Sequence, residues 1–321
     1  MDVRVITAIV AVIGIPLLLV GYIQLGEWIL ARLPRRIAHL MRPYVWVFPA
    51  IAFATVFMVL PTINTIIISF QDAKGNPVGL ANYVFFFTNP ETLTSLKNNV
   101  LWLVFFTGFV VFFGLFISIL FDRVKYESIA KIAVFLPLPI SSVAASVIWK
   151  FMFEFQPKGQ VQTGTLNAFI GTFGFDPVAW LINNTTNNFA LIAVGVWTST
   201  GFAMVIISAA LKGISNELLE AARVDGANEL QVIRRVIIPL LMPTLTVITT
   251  TMIITALKVF DIVYVLTSGA FGTDVIARQL FQRIANSDYG RAAAVGVVLL
   301  VAVTPILLFN IRSFRQQEEV R

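Results

Sequence analysis

The sequence has no cysteine, one histidine and few charged side chains. Charged residues make up 12% of its 321 residues, and the single histidine is His39. Without cysteine the chain can form no disulfide, no thiolate metal site and no cysteine nucleophile. His39 lies among Arg32, Arg35, Arg36 and Arg42, which favours a charged segment at a membrane surface over metal ligation or catalysis. We therefore expect no metal site and no catalytic residue.

Apolar residues, in contrast, are abundant. They form 58% of the sequence, and the mean hydropathy is +0.86, which is far above the range of water-soluble domains. A bilayer core about 30 Å thick is crossed by roughly 20 residues of apolar helix. Stretches of that length lie at approximately Val3–Leu30, Tyr44–Phe70, Asn99–Phe121, Ile129–Phe151, Phe189–Leu211, Leu241–Thr267 and Ala292–Ile311. We predict an all-α membrane protein with about seven transmembrane helices.

The distribution of lysine and arginine predicts the orientation of these helices. The segments 31–43, 122–131, 212–242 and 312–321 together carry 14 of the 23 Lys and Arg residues. Positive residues near helix ends tend to remain in the cytoplasm. We therefore expect the C-terminus to be cytoplasmic, and we interpret the net charge of +6 as this bias rather than as a nucleic-acid surface.

The loop 212–242 is a polar island in this apolar chain. Ser215 is a plausible N-cap of a short helix, with Glu217 and Glu220 in its first turns, where the helix dipole favours acids. Gly226 is expected to end this helix, and a second helix should follow until Pro239 disturbs its hydrogen bonds. The result is a pair of short cytoplasmic helices joined at a glycine. Elsewhere, apolar residues at 276, 280 and 284 predict a short interfacial helix.

The sequence of this loop is similar to a known motif. Glu220-Ala221-Ala222, Asp225-Gly226-Ala227 and Ile238-Pro239 match the EAA motif of permeases in ATP-binding-cassette importers. Further segments resemble the sugar-importing class, and more narrowly its maltose or α-glucoside branch. They are Trp197, "GFAM" at 201–204, "SAALKGI" at 208–214, "LKVFDIVYVLTSG" at 257–269 and "DYGRAAA" at 288–294. The likeness covers about residues 44–315.

This resemblance implies an architecture and a set of partners. It implies a type I importer permease core at 41–321, with the transmembrane domain at about 95–312, the coupling loop at 212–242 and an additional N-terminal segment at 1–40. Expected partners are a second related permease subunit, two ATPase subunits, an extracytoplasmic sugar-binding protein, a sugar substrate and the lipid of a bacterial or archaeal inner membrane. The motif residues would contact an ATPase; they are Glu220, Ala221, Ala222, Asp225, Gly226 and Ala227.

The substrate path is predicted from polar residues inside a transmembrane segment. Lys258 and Asp261 are costly in a bilayer unless they pair or face water, and together with Thr251 and Thr255 they would form a polar stripe on one continuous helix. The resemblance favours residues near 197–202 and 256–260 as sugar contacts. Our candidate substrate-binding residues are Trp197, Thr198, Ser199, Phe202, Lys258, Asp261 and Tyr264.

The sequence leaves two structural alternatives open. Lys258 and Asp261 could be an ion pair that only fixes helix packing, and the threonine hydroxyls could bond to their own helix backbone.

Two other functions are also compatible with parts of the sequence. The first is a stand-alone secondary transporter that uses Lys258 and Asp261 as an ion relay. The second is an importer permease for another small solute. We expect no cofactor in this chain, since it carries no nucleotide-binding motif and the resemblance assigns ATP to the partner subunits.

Overall fold

The computed structural model describes residues 3–122 and 124–319. The protein is helical, as predicted, and its helices are labelled here in chain order, each joined to the next by turns or loops. They are α1 (Val3–Leu30), α2 (Arg35–Ile68), α3 (Ala81–Thr88), α4 (Pro90–Phe121), α5 (Glu127–Phe135), α6 (Ser142–Met152), α7 (Thr165–Thr172), α8 (Asn187–Lys212), α9 (Asn216–Val224), α10 (Glu229–Leu257), α11 (Asp261–Leu266), α12 (Ile276–Ala285) and α13 (Tyr289–Glu319). The short helix predicted from residues 276, 280 and 284 is α12.

Six helices of the described part are long and apolar enough to cross a membrane. They overlap six of the seven predicted segments, in α1, α2, α4, α8, α10 and α13. The prediction of one continuous helix over Ile129–Phe151 is wrong, because the chain forms α5 and α6 with a turn at 136–141 between them. Pro137 and Pro139 explain the interruption: proline cannot donate the helical hydrogen bond, and it disfavours helical geometry in the residue before it.

The chain divides into two compact units, residues 1–67 and 68–321. The first contains an antiparallel hairpin of α1 and α2. Glu27 on α1 accepts hydrogen bonds from Trp46 Nε1 at 2.8 Å and from Arg42 at 2.9 Å, both on α2. These bonds give a carboxylate within an apolar helix both a charged and a neutral partner. The predicted domain boundary near residue 40 stays a prediction.

The second unit is built around α8. Small residues let α4 approach it closely: a Cβ atom added at Gly114 would lie 2.7 Å from the Cβ of Ala203. One turn further along α4, the Ser118 hydroxyl donates to the Met204 carbonyl at 2.8 Å. Such backbone contact with a polar bond is typical of helix association in membranes. The core of this unit includes Trp102, Phe106, Leu191, Ile207, Ile248 and Val263.

The predicted segment Leu241–Thr267 is also interrupted, in its C-terminal half. Helix α10 ends at Leu257, and α11 begins at Asp261 after Phe260, whose φ of −142° and ψ of −60° lie outside helical geometry. No proline or glycine lies at 258–260 to signal this break. The prediction that Thr251, Lys258 and Asp261 share one continuous helix is therefore wrong.

Candidate functional site

A cavity of about 310 Å³ lies beside the break between α10 and α11. Helix α4 contributes Trp102 and Phe106 to its wall, and α6 contributes Ser142. The remaining wall comes from one face of α8 and from both sides of the break. Ligand pockets of proteins span about 300 to 1,000 Å³, so this cavity has the size of a small-molecule site.

The cavity brings together four of the predicted substrate-binding residues. Thr198 and Ser199 line it from α8, and Lys258 and Asp261 line it from the two sides of the break. Lys258 and Asp261 are solvent-exposed and form no ion pair with each other. The Thr198 hydroxyl donates to the Gly195 carbonyl at 2.9 Å, which leaves its oxygen lone pairs for other donors. The cavity thus offers both donors and acceptors.

The ion-pair alternative therefore does not describe this structure, whereas the threonine alternative does. Thr251 donates its hydroxyl hydrogen to the Val247 carbonyl, and Thr255 donates to the Thr251 carbonyl, each at 2.9 Å. These hydroxyls are bonded to their own helix backbone, as threonine often is in membrane helices. Only Thr255 of this pair lines the cavity.

Three predicted residues lie outside the cavity wall. The Trp197 ring packs edge-on against Trp149, with centroids 5.7 Å apart. Phe202 is half-buried and packs against the hydrophobic core. Tyr264 stacks on Phe260, with ring centroids 5.1 Å apart and planes inclined by 17°.

Sequence reasoning missed the three aromatic residues of the wall, which are Trp102, Phe106 and Phe260. Phe260 lies between Lys258 and Asp261 in the chain, at the break itself, and its ring lines the cavity. An aromatic residue between two intramembrane charges could have signalled this position. Trp102 lies on another helix, and its buried Nε1 has no hydrogen-bond partner among the described residues. Nothing in the local sequence of Trp102 distinguishes it from the many aromatic residues of the core.

In the loop 212–242 the first predicted short helix is α9. The prediction that the second helix is short and ends near Pro239 is wrong, because α10 continues through Pro239 to Leu257, with a π-helical turn at Ile233–Ile237 just before the proline. The Ser215 hydroxyl caps α9 by accepting from the Glu217 amide at 3.2 Å. Helix α9 ends at Val224, and Gly226 two residues later has a φ of +86°, in the left-handed region that favours glycine. The Ala227 amide donates to the Ala222 carbonyl at 3.0 Å, and the Gly226 amide donates to the Arg223 carbonyl at 3.0 Å. This pair of bonds is a Schellman motif, so the glycine is required by the turn.

The motif residues divide between the two sides of α9. Glu220, Ala221 and Asp225 are exposed, whereas Ala222 and Ala227 pack against the hydrophobic core. An ion pair of 2.9 Å between Arg223 and Glu229 connects α9 with the start of α10. The turn is therefore tied to the transmembrane helix α10 while its acidic residues face outwards. Leu218 and Val224 add exposed apolar surface beside them, with 52% and 86% of their area accessible.

Charged residues connect α5 to the end of α8. The Glu127 carboxylate lies 2.7 Å from Lys212 Nζ and also contacts Lys131. Lys131 in turn contacts the Ser208 hydroxyl on α8. The hydrogen bond from Lys131, followed by that from Lys212, lowers the pKa of Glu127 below its ordinary value of 4.5. The carboxylate is therefore charged at neutral pH and forms a bridge between two lysines.

Comparison with known proteins identifies the family of this chain. Residues 28–315 match the family described as "Binding-protein-dependent transport system inner membrane component". An osmoprotective compounds uptake permease protein (GgtC) of Synechocystis sp. is 49% identical over 86% of this chain and 100% of that protein. An alpha-glucoside transport system permease protein (AglF) of Rhizobium meliloti is 41% identical over 87% of this chain and 84% of that protein.

Solved structures agree with this fold. The crystal structure of a bacterial alginate ABC transporter in complex with an alginate pentasaccharide-bound periplasmic protein contains a similar chain, with a TM-score of 0.73 and 25% identity. The match covers 89% of this chain and 98% of that one. The family match spans most of the chain and includes the loop 212–242 and the broken helix. The protein belongs to the family of binding-protein-dependent transport system inner membrane components.

Proposed function

We propose that this chain is a permease subunit of an ATP-driven importer whose substrate is a neutral, polyhydroxylated solute. Membership of this family supports a role in binding-protein-dependent transport, and it argues against a stand-alone secondary transporter. The relatives named above take up osmoprotective compounds and alpha-glucosides. We take α-glucosides of disaccharide size as the first candidate substrates, in keeping with the resemblance of the sequence.

The observation that carries the substrate class is the chemistry of the cavity beside the helix break. Lys258 and Asp261 contribute one positive and one negative charge, so the two ionised side chains favour neither an anionic nor a cationic solute. Thr198 and Ser199 add hydroxyl groups, and Phe260 adds an aromatic face. A neutral sugar needs this combination, because its hydroxyl groups both donate and accept while its ring presents an apolar face.

The proposed coupling element is the exposed side of α9. Glu220 and Asp225 would make polar contacts in a groove of an ATPase subunit, and Ala221 would allow close approach. Gly226 would keep the turn that joins α9 to α10. Closure of the ATPases on ATP would then move α10, which carries Lys258 at its end. The proposal puts this loop and the C-terminus on the cytoplasmic side, as the lysine and arginine distribution favours.

The expected assembly contains a second permease subunit, two ATPase subunits and an extracytoplasmic binding protein. The decisive experiment reconstitutes this assembly in proteoliposomes and measures uptake of radiolabelled solutes with ATP inside. We expect ATP-dependent uptake of one or more neutral α-glucosides that requires the binding protein. Uptake driven by an ion gradient without ATP would overturn the transport mechanism. Uptake restricted to acidic oligosaccharides or to amino acids would overturn the substrate class.

A second candidate substrate is a neutral osmoprotective compound. The observation that favours it is the 49% identity to a permease for such compounds, over the whole length of that protein. The same cavity chemistry suits it, since the argument from balanced charge applies to any neutral polyhydroxylated solute. Competition settles the choice: each candidate is added unlabelled to the uptake assay, and the true substrate is the one that competes at the lower concentration.

A further inference from the structure

The side chain of Asn99 on α4 lies against the last turn of α10. Its Nδ2 donates to the carbonyl oxygens of Ala256 and Leu257, at 3.3 and 3.4 Å. Its Oδ1 accepts from the Ile276 amide, the first of α12, at 2.8 Å. Asn99 is 1% exposed, so water does not compete for these bonds. One buried amide therefore connects the end of α10 to the start of α12.

The break in the helix removes the ordinary helical donors of these two carbonyls. In a continuous helix they would accept from the amides of Phe260 and Asp261, four residues further on. The φ and ψ of Phe260 turn the Asp261 amide away from the Leu257 carbonyl, while the Ala256 carbonyl accepts from the Val259 amide at 3.3 Å instead of from Phe260. An unpaired carbonyl is especially costly where lipid and protein exclude water. The Asn99 amide supplies the missing donor to the Leu257 carbonyl and a second donor to the Ala256 carbonyl.

The break in turn sets the position of the charged residues in the cavity. Lys258 directly follows Leu257, the last residue of α10, and Asp261 begins α11. If the chain continued as a helix through 258–260, Asp261 would follow Lys258 by three residues on the same helix and lie beside it on one face. The separation of the two charges and the place of Phe260 on the cavity wall thus depend on the break that Asn99 stabilises.

We propose that Asn99 is a positioning residue of the solute cavity: it holds α10 and α11 in the broken conformation and so places Lys258, Phe260 and Asp261. The proposal rests on the proposed function for its consequence in transport, but its structural part does not depend on the identity of the solute. Asn99 itself does not line the cavity.

The neighbouring Asn98 provides a matched control. It is equally buried, with 2% of its area exposed, and its Nδ2 donates to two backbone carbonyls, those of Gly272 and Asp274, at 2.7 and 2.8 Å. These carbonyls belong to the loop before α12 and not to the break. The change of either Asn to Asp keeps the shape and an acceptor and removes both donated bonds. Asn99→Asp and Asn98→Asp therefore differ in which backbone segment loses its donor.

The absence of native cysteine allows a direct measurement of the break. Thr255→Cys places a single thiol in the last turn of α10, on the cavity wall. Its labelling rate by a water-soluble maleimide is measured in the assembled importer, with Asn98 and Asn99 either native or changed. Loss of two buried hydrogen bonds should change the rate by at least about fivefold in Asn99→Asp and by less than about twofold in Asn98→Asp. Equal rates in native and Asn99→Asp importers, or equal changes in both variants, overturn the proposal.

If the Asn99→Asp importer does not assemble, Asn99→Ser is used in its place. The short serine hydroxyl cannot reach both carbonyls, so the same changes in labelling rate are expected. Uptake is measured separately, in the cysteine-free chain. We expect Asn99→Asp to raise the solute concentration at half-maximal uptake while Asn98→Asp leaves it unchanged. A native importer that fails to take up any α-glucoside would overturn the proposed substrate, and the labelling result would still decide the role of Asn99.

Discussion

Gly201 on α8 packs directly on the backbone of Val134 on α5. A Cβ atom at Gly201 would lie 2.6 Å from the Val134 carbonyl oxygen, closer than a carbon atom can approach it. The lysine bridge around Glu127 joins the same two helices. Helix α5 is thus held to α8 by a close backbone contact and a charged cluster, and its position depends on the absence of a side chain at 201.

We expect Gly201→Ala to destabilise the protein, because the backbone of α5 would have to move away. Insertion of a methyl group into a tight contact costs about 1–3 kcal/mol. Gly108→Ala is the control: Gly108 is also helical, and its added Cβ would meet nothing within 4 Å. The measurement is the thermal unfolding midpoint of the purified complex for both variants. A midpoint lowered equally by both substitutions would contradict the packing argument.

The Glu127 bridge predicts a dependence of stability on pH. Its lowered pKa means that the ionised carboxylate stabilises the folded state above pH 4.5, and that this contribution is lost as the pH falls through the lowered value. Glu127→Gln removes the contribution at every pH. The difference in unfolding midpoint between native protein and variant should therefore be largest near neutrality and should shrink below pH 4.5. A difference that stays constant into the acid range would show that the charge of Glu127 is not responsible.

The local sequence predicts some of this structure well. Apolar runs locate the six described helices that are long and apolar enough to span a membrane, and glycine and cap residues predict the turn at Gly226, because these signals lie within the segment that they shape. Pro137 and Pro139 are a local signal for the interruption between α5 and α6, but the continuous apolar run around them predicted a single helix. The break at 258–260 has no local signal. It depends on Asn99, which is 157 positions from Ala256 in the chain, and only the fold brings the two together.

The same distinction applies to the candidate site. Thr198, Ser199, Lys258 and Asp261 were predicted from polarity and resemblance, and the fold places all four on one cavity. Aromatic residues were harder to assign, since a chain with 28 phenylalanines offers many equivalent candidates. Phe202 packs on the core while Phe260 lines the cavity, and periodicity could not separate them because the helix that carries Phe260 is broken.

This difference leads to a prediction for the two phenylalanines. Phe260→Ala removes an aromatic face from the cavity, so we expect the solute concentration at half-maximal uptake to rise by about two- to tenfold. Phe202→Ala instead removes packing from the half-buried side of α8, so it should lower complex yield more than it changes this concentration. Uptake and yield are measured in parallel for both variants. A larger rise with Phe202→Ala than with Phe260→Ala would assign the solute contact to Phe202.

The proposed coupling role of α9 predicts the effect of substitutions at its turn. Gly226→Pro should uncouple ATP hydrolysis from uptake, since proline fixes φ near −65° and the turn requires +86°. Glu220→Lys should weaken ATPase binding by reversing an exposed charge, without a change in the membrane fold. Gly159→Pro is the control, because Gly159 also has a positive φ, +94°, but lies in the loop between α6 and α7. Retained ATPase binding and uptake with both α9 substitutions combined would contradict the coupling role.

The separation of Lys258 from Asp261 predicts the outcome of a double-mutant test. Lys258→Met keeps most of the side-chain volume and removes its donors, so uptake at low solute concentration should fall by at least about tenfold. Because the two side chains are exposed and form no ion pair with each other, the loss of Lys258 leaves no buried carboxylate behind, and complex yield should be unchanged. Addition of Asp261→Asn should then lower uptake further, since it replaces a second cavity group. Lys150→Met, at an exposed lysine of α6 outside this cavity, is the control for the loss of one positive charge. Recovery of uptake and yield in Lys258→Met/Asp261→Asn would instead mean that the two residues pair in the assembled importer and that Lys258 is no solute ligand.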